Sequence, residues 1–254
     1  MENPYESSRY LAEYLLFHYA AESEILPWPF GPKDALHFPR RTVAAFARQG
    51  VKHTPNSRAL DLGCAVGASS FAMAEYFGHV TGLDFSHSFI NAAQALRDGQ
   101  TLTYERLDEG GLSTTLQVSP PLPNLAQAVD FRQGDAMDLP EEWCNFDAVH
   151  AANLLCRLPE PMRLIKRLPK LLKPGGILVL ATPCSWLEAF TPQSAWLGGY
   201  SENGVPVATI DRLQTLLSPD FEALEQRDEP FLIREHSRKF QWSVALVSTW
   251  RRRS

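Results

Sequence analysis

Apolar residues recur in two rhythms along this chain, and the switches between them mark its elements. Within residues 5–23, Leu11, Tyr14, Leu15 and His18 return at one-turn spacing, which predicts a helix. Pro27, Pro29, Gly31 and Pro32 break that pattern into a loop, and a second helix is expected over 40–49. From Arg58 the rhythm changes. Short apolar runs at 58–63, 79–84, 129–134, 146–152 and 177–182 alternate with helical stretches at 68–77, 86–97 and 160–172. Lys173-Pro174-Gly175-Gly176 ends the last of these helices and turns into the strand that follows. Strands alternating with helices predict an α/β fold with a parallel sheet and crossover helices. A helix over 209–217 and two further strands, 221–227 and 240–250, separated by a charged turn, bring the sheet to seven mostly parallel strands. Two stretches interrupt the alternation: 99–128, with Gly110-Gly111 and Pro120-Pro121, reads as a hairpin or long loop, and 183–206, rich in aromatics, Gly and Pro, as a lid. Long excursions inside a compact domain tend to be functional.

Composition narrows the class. The 254 residues are 44% hydrophobic and 21% charged, which suits one domain. The formal net charge of -5 speaks against a nucleic-acid partner, and Arg251, Arg252 and Arg253 form the only dense basic run, read as a polar tail. No apolar run approaches the roughly 20 residues that a membrane span needs, and the opening residues show no basic leader with an apolar stretch behind it. Cys64, Cys144, Cys156 and Cys184 form no CxxC pair and no zinc-like cluster. They are expected to be free thiols of a cytoplasmic protein that holds no metal.

The chemistry concentrates at the ends of the expected strands. Asp61-Leu62-Gly63-Cys64-Ala65-Val66-Gly67 joins the first strand to a helix, and its small residues let backbone turn tightly and approach a ligand. Seventeen residues after Gly67 the second strand ends in Asp84, followed by Phe85; an acid there can accept from both hydroxyls of a ribose. Gly134-Asp135-Ala136 closes the third strand and Asn153 the fourth. A dinucleotide fingerprint needs a glycine where Ala65 stands, so that a pyrophosphate can come close.

The pattern resembles instead that of the class I methyltransferases dependent on S-adenosylmethionine (SAM), an acid followed by G-x-G-x-G, with Ala65 in place of the central glycine. Asp61, Gly63, Ala65, Gly67, Asp84, Phe85, Asp135, Ala136 and Asn153 are the cofactor-binding residues this resemblance implies, with S-adenosylhomocysteine (SAH) as the spent cofactor. It implies a Rossmann-like single domain over 1–254, divided into an N-terminal helical cap (1–57), a cofactor-binding core (58–182), and a lid with C-terminal strands (183–254).

A narrower likeness covers nearly the whole chain. Tyr5-Glu6, Arg9-Tyr10-Leu11 and Glu13 to Tyr19, then Ser69-Ser70-Phe71, Ala152-Asn153-Leu154, Arg157-Leu158-Pro159, Trp196 to Gly199, Pro230 to His236 and Lys239 to Trp242 resemble the methyltransferase of ovothiol biosynthesis. That enzyme occurs both as the C-terminal part of 5-histidylcysteine sulfoxide synthase and alone. The chain departs from the pattern at Cys156 and Cys184. The resemblance implies methylation of 5-thiohistidine (4-mercaptohistidine) on the ring nitrogen nearer the stem, giving ovothiol A, with functional coupling to a sulfoxide synthase. Since thiolate is the better nucleophile, orientation must override reactivity, and a hydrogen bond to the other ring nitrogen would select the tautomer. Tyr14, His18 and Asn153 are the candidates for this catalytic work. For the amino-acid head, Arg234 offers a bidentate fork for a carboxylate and Glu235 or Glu13 a partner for an ammonium, while Trp186 is placed over the substrate. The alternatives are methyl transfer to another small molecule, a SAM-binding protein without catalysis, and an NAD-type binder.

Overall fold

The computed structural model describes residues 3–254. A short 3-10 turn at Pro4–Glu6 leads into α1 (Ser8–Tyr19), capped by the Ser7 hydroxyl, which accepts from the amide of Tyr10. Then come α2 (Glu22–Ile25), α3 (Phe38–Arg48), β1 (Thr54–Leu62), α4 (Ala68–Met73), β2 (Phe77–Asp84) and α5 (His87–Arg97). The antiparallel hairpin β3 (Leu102–Glu109) and β4 (Leu112–Val118) precedes α6 (Pro123–Gln127), β5 (Val129–Gln133), β6 (Phe146–Ala152), α7 (Pro161–Leu171) and β7 (Leu172–Thr182). A small hairpin, β8 (Tyr200–Glu202) with β9 (Val205–Val207), lies before α8 (Thr209–Leu217) and the long strands β10 (Phe221–His236) and β11 (Lys239–Arg252).

The main sheet has seven strands in the order β10-β11-β7-β6-β1-β2-β5. It is parallel from β7 to β5, while β11 runs antiparallel to both its neighbours. From the central β1 the chain winds outward through β2 and β5, then returns to wind the other way through β6 and β7. Crevices for ligands open at such a switch point, beyond the carboxyl ends of the strands.

The period of two along β1 sets the layers. Leu60 and Leu62 face the layer built with Leu164, Leu168 and Trp250, under α7 and α8. Ala59 faces the layer of Phe46, Phe77 and Phe131, under α3, α4 and α5. Asp61 shares that side and would be an unsupported buried charge there without partners. In α7, buried Leu164, Ile165, Leu168 and Leu171 recur at helical spacing, and burying each such side chain contributes roughly 1.5–3 kcal/mol.

Several elements differ from expectation. The helix over 5–23 divides into the 3-10 turn, α1 and α2. The stretch 99–128, by contrast, is the hairpin of the two forms expected for it, β3–β4, followed by α6. Lys173–Gly176 lies inside β7, as an irregularity in its register with β6. The charged turn expected after residue 227 is a strand: β10 continues to His236, and only Ser237 and Arg238 make the bend. Charge does not break the strand because it is paired. Buried Glu229 meets Arg41 and Arg227, and buried Arg234 meets Asp108 of the hairpin and the carbonyl of Glu24. All four cysteines are free, and among the described residues no helix is long and apolar enough to cross a membrane.

Candidate active site

A cavity of about 780 Å³ opens at the carboxyl edge of the sheet, large enough for a nucleoside cofactor together with a small substrate. Its floor is the loop after β1. Gly67 has φ 91°, and a Cβ there would come within 2.6 Å of the Phe131 ring, so only glycine lets α4 start against β5. Ala65, at φ 48°, holds a left-handed conformation that costs a residue with a Cβ about 1–2 kcal/mol. What keeps it there is partly its amide, which donates to Asp84 Oδ2 at 2.9 Å.

Asp84 therefore has two tasks. Its carboxylate accepts from the amides of Ala65 and Ser86, shaping the loop, and keeps lone pairs free at the cavity wall. Burial pushes its carboxyl up to about 6, against the help of those amides. A carboxylate in this condition is suited to a ligand that brings hydroxyl donors. Asp135 lies beyond β5, its Oδ1 accepting from the amide of Met137, with Ala136 and Met137 forming an apolar wall beside it. These features fit the ribose and adenine of SAM, whose sulfonium end would then lie over β1.

On the other side of β1, Asn153 follows β6 with φ 54° and its amide tied to the carbonyl of Ala181. Its Oδ1 is buried without a hydrogen-bond partner in the protein. The same holds for Nδ1 of His18, which reaches the cavity from α1 together with Tyr14 and Phe17. Burial lowers the His18 imidazole to about 4, so it is neutral around pH 7 and can accept a hydrogen bond. Burial also raises Tyr14, which stays a phenol and hence a donor. Both residues line one cavity, and a buried polar atom without a protein partner in each is a reason to expect a polar ligand beside them.

The structure brings together Tyr14, His18, Asn153, Gly63, Ala65, Asp84, Phe85, Asp135 and Ala136 of the residues singled out in the sequence. It does not bring Asp61, Gly67, Trp186, Arg234 or Glu235 to the cavity wall. Asp61 is committed behind the loop, where Oδ1 meets His150 Nδ1 at 2.8 Å and Oδ2 accepts from the hydroxyls of Ser69 (2.7 Å) and Ser70 (2.6 Å). Burial alone would raise its carboxyl; the imidazole and the hydroxyls outweigh this and hold it below the ordinary value. It supports the cofactor loop from within. Trp186 is a core side chain whose Nε1 donates to Thr209 Oγ1. Arg234, Glu235 and Glu13 meet on the opposite face of α1, around a shallow depression against the β3–β4 hairpin. Residues 13 and 14 are adjacent in sequence but about 100° apart around a helix, and Glu13 lines this depression while Tyr14 lines the cavity.

Sequence reasoning missed Tyr5, Phe38, Phe89, His150, Arg157 and Phe190, all of which line the cavity. Tyr5 arrives by a strap: its carbonyl accepts from Ser86 Oγ, and the Glu6 carboxylate accepts from the amides of His87 and Ser88 at the start of α5. Glu6 is an acid outside the helix it caps, and no local periodicity reveals such a pairing.

Comparison with known proteins agrees with this geometry. Residues 60–180 match the family model described as a methyltransferase domain. The ubiquinone biosynthesis O-methyltransferase of Xanthomonas campestris pv. campestris is 31% identical over 155 residues, covering 60% of this chain and 53% of that protein. The protein of the same name from Coxiella burnetii is 27% identical over 154 residues, covering 61% and 55%. The chain thus spans about half the length of the curated relatives it matches. Among solved structures, the N-methyltransferase NodS of Bradyrhizobium japonicum in complex with SAH aligns with a TM-score of 0.55 at 16% identity, over 96% of this chain and 99% of that one. The [4+2]-cyclase SpnF aligns with a TM-score of 0.54 at 20% identity, over 85% and 81%. The fold of this chain is the α/β Rossmann-like fold of the SAM-dependent methyltransferases.

Proposed function

We propose that this chain is a SAM-dependent methyltransferase that acts in the cytoplasm on a small molecule, methylating the imidazole of 5-thiohistidine at the ring nitrogen nearer its stem. One observation carries the reading: a single cavity joins the strand-end acids Asp84 and Asp135, suited to a nucleoside, to a cluster of Tyr14, neutral His18 and Asn153 with two unpartnered polar atoms. When bound, the cofactor supplies an electrophilic methyl on its sulfonium. The chain's own residues bind, orient and keep water away. Asp84 accepts from the ribose hydroxyls, while Asp135 and Ala136 hold the adenine. Asn153 Oδ1 and His18 Nδ1 each take a hydrogen bond from the acceptor substrate, and the Tyr14 hydroxyl donates one. Neutral His18 can hold the N–H of one ring nitrogen and so leave the other as a lone pair facing the methyl.

Support for thiohistidine in particular comes from the likeness to the ovothiol methyltransferase. Its Tyr5, Tyr14, His18, Asn153 and Arg157–Pro159 stretches supply much of the wall of this cavity. Coupling to a sulfoxide synthase, which would furnish the thiohistidine, follows from the same likeness. A second reading, transfer to oxygen of another small molecule, is favoured by the name of the relatives.

Turnover with SAM and 5-thiohistidine, against plain histidine and without substrate, tests the proposal. The expected product gains one methyl on the stem-side ring nitrogen, located by NMR. His18→Ala and Tyr14→Phe are each expected to lower kcat at least about ten-fold, the scale of one well-placed hydrogen bond to a reacting group. Unchanged turnover in both would remove α1 from the chemistry. SAH binding without methylation of thiohistidine would leave the cofactor reading and remove the substrate.

A further inference from the structure

With Arg234 buried against the hairpin, an acidic substrate lacks the partner expected for it, and the cavity offers another. Among its described lining residues Arg157 is the only lysine or arginine. It stands just after β6, four residues beyond Asn153, and so on the far side of β1 from Asp84 and Asp135. Its guanidinium is fixed from one side. Nη1 donates to the carbonyls of Cys156 (3.0 Å) and Ser185 (3.2 Å), and the group lies over the Phe190 ring, 4.8 Å from the centroid. The Tyr5 hydroxyl stands close enough to feel its charge. Among the described residues no carboxylate lies within 4 Å of it, in contrast to Arg106 and Arg234, which are locked in ion pairs. The backbone carbonyls take only Nη1, and the Tyr5 hydroxyl lies within hydrogen-bonding reach of the guanidinium, which retains donors for a ligand. A planar donor fork that is anchored by one nitrogen and stacked on an aromatic ring has little freedom left to lose, the condition under which arginine binds a carboxylate best.

We propose that Arg157 is the specificity-determining residue for the acceptor substrate, pairing through Nη2 and Nε with a carboxylate carried by a small ring compound that lies between Phe190 and Asn153. The assignment rests on the reading of the cavity as a site of methyl transfer to a small molecule; it extends that reading from a single named substrate to a class, ring compounds with a carboxylate on a short stem. The carboxylate belongs to the substrate rather than to the cofactor because Arg157 follows Asn153 on the substrate side of β1, under the strap of Tyr5.

The test uses the whole chain, loaded with SAH, as wild type, Arg157→Met and Arg157→Lys. Calorimetry first gives the SAH affinity of each, and then the affinity for paired probes, each offered as carboxylate and as primary carboxamide: 5-thiohistidine, histidine and imidazole-4-acetate. Wild type is expected to prefer carboxylate by roughly 10- to 100-fold, the worth of a charged hydrogen-bonded pair. Arg157→Met is expected to abolish that preference with SAH affinity unchanged, and Arg157→Lys to restore part of it. Absence of any preference in the wild type overturns the proposal. So does a loss of SAH affinity in Arg157→Met equal to the loss for the probes, which would give the arginine to the cofactor's own carboxylate. If 5-thiohistidine fails to bind while another carboxylate is preferred over its amide and loses that preference in Arg157→Met, thiohistidine falls as the substrate and the role of Arg157 stands.

Discussion

A residue at the end of a strand can be read from sequence when its position alone determines what it faces. Asp84, Asp135 and Asn153 are of this kind, since the carboxyl edge of a parallel sheet faces the crevice whatever the surroundings. Arg234 and Trp186 are not, because their surroundings come from the β3–β4 hairpin and from α8, which are distant in sequence. Asp84 also gives the sharpest pH prediction. Its folded value of about 6 lies above the ordinary 3.8, so the cofactor-free fold gains from protonating it at low pH and loses that gain as pH rises toward 6. At neutral pH the ionised carboxylate is a strain on the free protein, which ribose hydroxyls relieve. SAH affinity should accordingly weaken about ten-fold between pH 7 and pH 5 in the wild type, measured by calorimetry. Asp84→Asn should bind SAH weakly at both values and show no such slope; a slope that survives the substitution would assign it to another group. At Ala65 the conformation itself is testable. Glycine there removes a left-handed penalty of about 1–2 kcal/mol and adds about 0.5–1 kcal/mol of lost chain freedom, so Ala65→Gly should raise stability by up to about 1.5 kcal/mol in urea titration.

Elements were legible to the extent that one periodicity governed them. The five parallel strands and the helices packed on them stand within a few residues of expectation, whereas β10 was cut short because Arg234, Glu235 and His236 read as solvated charge. Burial beneath α1 and the hairpin reverses that reading, and no pattern local to the strand contains it. The same limit applies to α1, whose two working faces divide Tyr14 and His18 from Arg9 and Glu13. The strap ahead of α1 is the element whose function is easiest to isolate. Glu6 supplies acceptors to two unpaired amides at the start of α5, so Glu6→Ala should cost about 1 kcal/mol of stability. Because the same residue holds Tyr5 at the cavity, the substitution should also raise the dissociation rate of SAH, followed by stopped-flow fluorescence, more than Glu13→Ala does on the opposite face of the helix.

Across the whole molecule the two core layers meet at β1, and the buried set of Asp61, His150, Ser69, Ser70 and Thr42 ties α3 and α4 to the sheet beneath the cofactor loop. The carboxyl of Asp61, held below the ordinary range, contributes stability that is present above 3.8 and lost as pH falls through its lower folded value. His150→Leu would leave that carboxylate buried beside two hydroxyls alone and should cost about 3–5 kcal/mol in urea titration; a change below 1 kcal/mol would show that the network is dispensable. Asp61 was legible as an important acid, but its direction was not, since the alternation along β1 that turns it away from the cavity becomes visible only once the layers on each side are known. The antiparallel insertion of β11 carries a last consequence. It returns the chain to the rim where β7 begins, so Arg252 lies at the bottom of the sheet, while Asn3 and Tyr5 stand at the mouth above its top. The two ends are therefore unequal as handles: a tether or affinity tag joined after Ser254 starts from the rim opposite the doorway, whereas Asn3 is itself part of the doorway's wall.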